Sequence, residues 1–258
     1  MALQLLVDNI YAYILVFCRV GGIWFLNPLL SRKNIPTQFR IALVLGITVL
    51  MTPALDSSAV PQLAANMLSM LFAMIKELLI GVAFGYVFQI FYYLLFTAGD
   101  LADLGFGLSM ARAFDPGTSL QVSVSGNVLQ LLFILYFFAV NGHLLLIKIT
   151  ASSFGIVGMG AVSIGPEVGT YVVSVFLDAF SLAMRLALPF IAASFVLEIA
   201  MGILMKLIPQ INVFSIHFQI KILFGFILLF LFAVPITEFI DSYTYKMFIS
   251  LQRLFEVF

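Results

Sequence analysis

The chain has 258 residues, 63% of them hydrophobic and only 9% charged, with a mean hydropathy of +1.18. Soluble domains carry about 25% charged side chains, so this composition defines an integral membrane protein. Twelve basic residues balance twelve acidic ones, which gives no pull toward nucleic acid, and the single Cys18 excludes an intrachain disulfide or a cysteine-based metal site.

A hydrocarbon core about 30 Å thick needs roughly 20 helical residues to cross it. Apolar runs of this kind cover residues 10–30, 41–55, 67–98, 128–147, 171–197 and 211–237. The N-terminal run has no basic leader and no small-residue cleavage site, so it reads as a first span rather than a removable signal. The second run is short. The third is interrupted by Lys76 and Glu77 and fits either one tilted helix or two pieces. Breaks are expected at Pro28, Pro36, Pro53, Pro61, residues 155–169 and Pro209. Residues 238–258 mix charge with Phe, Ile, Leu and Met, as an interfacial or partner-binding amphipathic helix does. Arg32, Lys33 and Arg40 would place their loop in the cytoplasm, but few other loops carry basic clusters, so the topology stays open.

Residues 99–127 fit neither a clean span nor a polar loop. Leu101, Leu104, Leu108 and Ala111 recur at helical spacing, Asp115-Pro116-Gly117 is a turn signal, and residues 119–125 alternate polar with apolar. Irregular backbone at membrane depth requires burial in protein or a water-filled cavity.

Ionisable residues stand inside the apolar runs: Arg19, Lys76, Glu77, Asp178, Arg185, Glu198, Lys206 and Lys221. Each is disfavoured by about 2.5–3.5 kcal/mol at a span's centre, so such groups face a bundle interior or a cavity. Two readings follow, an ion pathway or pairing between packed helices, and the mixture of signs favours pairing. Asp178 and Arg185 share a helix face but stand about 10 Å apart along its axis, too far to pair directly. Their partners are expected on other helices or subunits. His143 is a weak proton-site candidate, and Cys18 reads as a small buried hydrophobe. Gly81 and Gly85, four apart and following Glu77, make a small-residue face for close helix packing. No nucleophile elbow, zinc-helix motif, phosphate loop or paired-carboxylate constellation occurs, so neither an enzyme nor a cofactor or metal is expected.

Longer phrases point further. CRVGGIWFLNPLL is followed by IPTQFRIALVLGITVLMTP. KELLIGVAFGYVFQ precedes AGDLADLGFGLSMARAFDPG and LYFFAVNGHLLL, and LALPFIAASFVLEIAMGILMKLIPQINVF closes the series. In order and spacing, over nearly the whole chain, these resemble the FliR family of flagellar and virulence type III export-gate proteins. The resemblance implies an all-α membrane protein of kinked helical hairpins in a superhelical assembly. Residues 1–165 would be FliP-like, 166–237 a FliQ-like hairpin, and 238–258 a C-terminal amphipathic helix. One copy would join FliP, FliQ and FlhB-like subunits in the inner membrane at the base of the flagellum, passing unfolded export substrates and binding no nucleic acid. The family's pore plug would correspond to residues 105–123, with Phe106, Leu108, Met110, Phe114, Asp115, Pro116 and Gly117 as candidate closing residues. On this reading Arg19, Glu77, Asp178, Arg185, Glu198 and Lys206 serve subunit assembly. The rival readings are a small-solute secondary transporter and a scaffold subunit that only templates assembly.

Overall fold

A computed structural model describes residues 2–32, 35–56, 60, 66–108, 123–161, 165–208 and 213–258. Among them are eight α-helices and no strand: α1 (Ala2–Phe25), α2 (Thr37–Met51), α3 (Met67–Phe106), α4 (Val124–Ala139), α5 (Gly142–Ile156), α6 (Pro166–Leu207), α7 (Val213–Leu231) and α8 (Ala233–Leu254). The protein is an all-α membrane protein. Thr37–Ala54, Met67–Phe106 and Pro166–Leu207 are each long and apolar enough to cross a bilayer, and two bent helix pairs raise the number of candidate spans to as many as five.

The breaks have local causes. α1 ends where Asn27 accepts the Leu29 N–H through its side chain ahead of Pro28, an Asx turn that a helix cannot pass through. α2 starts after Pro36, held extended at φ −60° and ψ 141°. It closes where the Thr48 and Thr52 hydroxyls donate back to the Val44 and Thr48 carbonyls, just before Pro53. Its buried Val44, Thr48 and Met51 fall at helical spacing and pack on α1. The run at 128–147 is broken after Ala139, with Asn141 in the left-handed region at φ 56°, a conformation Asn tolerates better than most residues. The run at 211–237 is likewise two helices, α7 and α8, bent by 60°. The third run, by contrast, is one 40-residue helix that Lys76 and Glu77 do not interrupt.

The chain forms two compact units. Met1–Phe91, Val140–Leu177 and Lys246–Phe258 make the first; Tyr92–Ala139 and Asp178–Tyr245 make the second. In the first, Leu15, Val16, Val20, Ile80, Phe84 and Leu251 are buried, and the rings of Phe84 and Phe255 stack at 5.3 Å. The core of the second is aromatic, with Tyr92 edge-on to Phe133 and Phe190 against Phe232.

Candidate functional site

In the first unit, α1 and α3 cross at van der Waals contact. A Cβ on Gly81 would lie 2.3 Å from the Arg19 carbonyl oxygen, and one on Gly22 would lie 2.8 Å from the Gly81 backbone. One turn on, a Cβ on Gly85 would meet Leu26 at 2.7 Å. Arg19 stands three residues before Gly22, and Glu77 stands four before Gly81, so each charged side chain lies on the same face as its helix's glycine. The close crossing therefore brings the two charges together.

Arg19 and Glu77 are both fully buried. The Arg19 Nε donates to Glu77 Oε2 at 2.5 Å and its Nη2 to Oε1 at 3.0 Å. Nη1 donates to the Ser153 hydroxyl and Nη2 also to the Val157 carbonyl, while the guanidinium lies 4.0 Å over the Phe154 ring. On the carboxylate side, the Gly160 N–H donates to Oε1 at 2.8 Å from a residue at φ +72°, a conformation that suits glycine. Fork-like pairing, saturation of the remaining donors and stacking on an aromatic face are what a buried arginine requires. The site ties α1, α3 and the end of α5 together.

The second unit holds the stems of the 109–122 segment. α3 ends at Phe106, and Gly107 follows at φ +71°, the left-handed closing residue common at helix C-termini. α4 starts after Ser123, whose hydroxyl accepts the Gly126 N–H as a helix N-cap. That same hydroxyl donates to the buried Asp103 carboxylate at 2.8 Å, and the Ser125 N–H donates to Asp103 at 3.1 Å. The carboxylate therefore sits at the positive end of α4 while belonging to α3. Beneath it the helices touch, with a Cβ on Gly99 placed 2.4 Å from the Gly126 nitrogen. Residues 123–125, read from sequence as part of an alternating stretch, are a helix start, and the polar side chains there are capping groups.

Phe106 and Leu108 are buried. The Phe106 ring is edge-on to Phe190 and Phe224, and Gly225 makes room for it, since a Cβ there would lie 2.8 Å from the ring. Phe106, expected among the sealing residues, packs in its own unit's core against two aromatic rings and a glycine. Met110, Phe114, Asp115, Pro116 and Gly117 lie outside the described residues.

The intramembrane charges divide into two groups. Arg19 and Glu77 are buried together; Asp178, Arg185, Glu198 and Lys206 are exposed on α6. Glu198 accepts from Lys221 at 2.6 Å. Among the described residues no group of three or more His, Cys, Asp or Glu is placed to hold a metal. Asp103 and Gly22 were not distinguished in the sequence. An acidic residue in the last turn of an apolar helix with a Ser-x-x-Gly helix start 20 residues on, and paired small residues on both crossing helices, are the signals that could have found them.

Fold and composition together define a helical membrane protein whose close-packed glycine crossings suit a multi-helix assembly. The bacterial export protein family 1 model matches residues 10–247, and the chain belongs to that family, the FliR family. The flagellar biosynthetic protein FliR of Escherichia coli K12 is 29% identical over 217 residues, covering 84% of this chain and 81% of that protein. FliR of Bacillus subtilis 168 is also 29% identical, over 87% of this chain and 86% of its own length. FliR of Aquifex aeolicus is 25% identical over 95% and 92% respectively.

Proposed function

We propose that the chain is a non-enzymatic subunit of the flagellar type III export gate, in the bacterial inner membrane at the base of the flagellum. One copy joins FliP, FliQ and FlhB-like subunits, and the assembly passes unfolded flagellar subunits. The family match over residues 10–247 carries this reading, with the flagellar names of relatives covering most of the chain in support. Within the assembly, residues 1–165 take the FliP-like part, 166–237 the FliQ-like hairpin and 238–258 the amphipathic C-terminus. The segment around Met110, Phe114 and Asp115-Pro116-Gly117 closes the pore. In support, both its stems are fixed, by Phe106 in an aromatic core and by Asp103 at the Ser123 cap. Stems held by such contacts suit a segment that must be placed reproducibly across a channel.

Deletion of residues 109–117, keeping Asp103, Phe106 and Ser123, should raise ion leakage through the assembled gate. Unchanged conductance with all subunits present would defeat the closing role. A small-solute transporter would purify without export subunits. A subunit serving only as scaffold would leave Ser109→Cys and Ser119→Cys unreactive to reagents entering the pore.

A further inference from the structure

One face of α6 carries a polar stripe whose two charges have no counterpart among the described residues. Ser174, Asp178, Ser181 and Arg185 recur at three- and four-residue spacing on one side of the helix, and all four are exposed. The other side, with Val175, Ala179, Ala183, Ala187 and Phe190, is buried. The stripe is flanked by apolar side chains, Leu177 and Leu188, which are 58% and 53% exposed. A span of about 20 residues beginning anywhere from Pro166 to Asp178 contains both charges.

Asp178 and Arg185 have no hydrogen-bond or ion-pair partner among the described residues. Glu198, lower on the same helix, shows the contrast, because Lys221 reaches it from within the chain. Pro189, inside α6, has no N–H to offer the Arg185 carbonyl.

We infer that this stripe seats an apolar helix from a different subunit, bearing a basic side chain opposite Asp178 and a carboxylate opposite Arg185, two turns apart. The inference rests on the reading of the chain as one member of a hetero-oligomeric export gate. Hydrocarbon is excluded as the neighbour, since it strongly disfavours unpaired ions. A second copy of this chain is excluded by charge. Two copies inserted in the same sense meet with α6 parallel, setting Asp178 against Asp178 and Arg185 against Arg185. A stagger that matched one pair would strand the other two charges. A water-filled passage is disfavoured by Leu177 and Leu188, which would line its wall beside the charges.

The test uses the assembly isolated from native membranes through a tag on the full chain. Asp178→Lys and Arg185→Glu should each lower recovery of one partner subunit at least tenfold, and reversal of the facing charge in that subunit should restore it. In a Cys18→Ala background, Ser181→Cys should be shielded from a water-soluble thiol reagent and form a disulfide with a cysteine placed on the partner helix. This second measurement keeps the native charges, so it decides the matter even where a reversal prevents folding. Wild-type recovery of every subunit with both reversals overturns the docking face while leaving the export reading intact. Rapid labelling of Ser181→Cys in the intact assembly overturns it in favour of a water-filled passage. Absence of all export subunits around the unaltered chain would instead remove the export reading itself.

Discussion

Arg19 and Glu77 meet as a fully buried, two-pronged ion pair from helices 58 residues apart in sequence. The pair exists because Gly22 and Gly81 let the two helix backbones touch one turn away. Packing and electrostatics are one device at this point: without the glycines the side chains could not reach, and without the pair the crossing would bury two bare charges.

Glu77→Ala should therefore destabilise the first unit by about 3–5 kcal/mol, because it leaves a guanidinium buried with its principal acceptor gone. The double variant Arg19→Met with Glu77→Leu should recover most of that loss, since buried pairs are commonly replaceable by apolar side chains of similar volume. Thermal unfolding in detergent reads both. A double variant as unstable as Glu77→Ala would mean that the pair holds something other than its own desolvated charges.

The glycines give a sharper contrast. Gly81→Ala would place a methyl 2.3 Å from a backbone oxygen, an atom that cannot swing aside. The helices would have to separate, at a cost of about 1–3 kcal/mol and with loosening of the Arg19 pair. Gly46→Ala on α2, where nothing lies within 4 Å, is the matched control. It should be neutral or slightly stabilising, as alanine favours helix over glycine by up to about 1 kcal/mol. Equal effects of the two substitutions on melting temperature would show that helix propensity, and not the crossing, governs position 81.

How far the sequence could reach depended on the kind of information asked of it. Proline and glycine positions marked where α1, α2 and α5 begin or end, because those residues act on their own backbone. Gly81 and Gly85 stood out as a packing face because their spacing is local. The partner of that face was not legible, since periodicity reports which side of a helix is apolar but not which helix covers it. Lys76 and Glu77 left open whether the third run is one helix or two; α3 is a single helix through them, since Lys and Glu are good helix formers, and Arg19 meets the carboxylate from another helix. The alternation at 119–125 did not show the helix start at 124, because a capping serine and a helix N-terminus can produce a two-residue rhythm.

Asp103 should report on the stems of the 109–122 segment. Ser123→Ala removes the α4 cap and should cost about 1 kcal/mol. Asp103→Ala leaves the Ser125 N–H without its buried acceptor, costing about 1–3 kcal/mol. Both should speed hydrogen exchange at the amides of Ser125 and Gly126 while leaving α1 and α2 unaffected. Exchange at those amides that is unchanged in Asp103→Ala would show that the carboxylate does not hold the re-entry of the chain into α4.

Phe106 separates anchoring from sealing. Its ring fills a space bounded by Phe190, Phe224 and the bare backbone of Gly225. If burial in that core is its role, Phe106→Ala should lower stability by about 3–5 kcal/mol, and any pore leakage should follow from a displaced stem. Gly225→Ala, on a different helix, should then produce the same combination, because its methyl would lie 2.8 Å from the ring. Phe106→Leu combined with Gly225→Ala should restore part of the loss, as the smaller side chain vacates the volume the methyl needs. Melting temperature and gate conductance, measured on all of these variants, decide between the two roles. Leakage in Phe106→Ala at unaltered stability, with Gly225→Ala silent, would make Phe106 a sealing side chain after all.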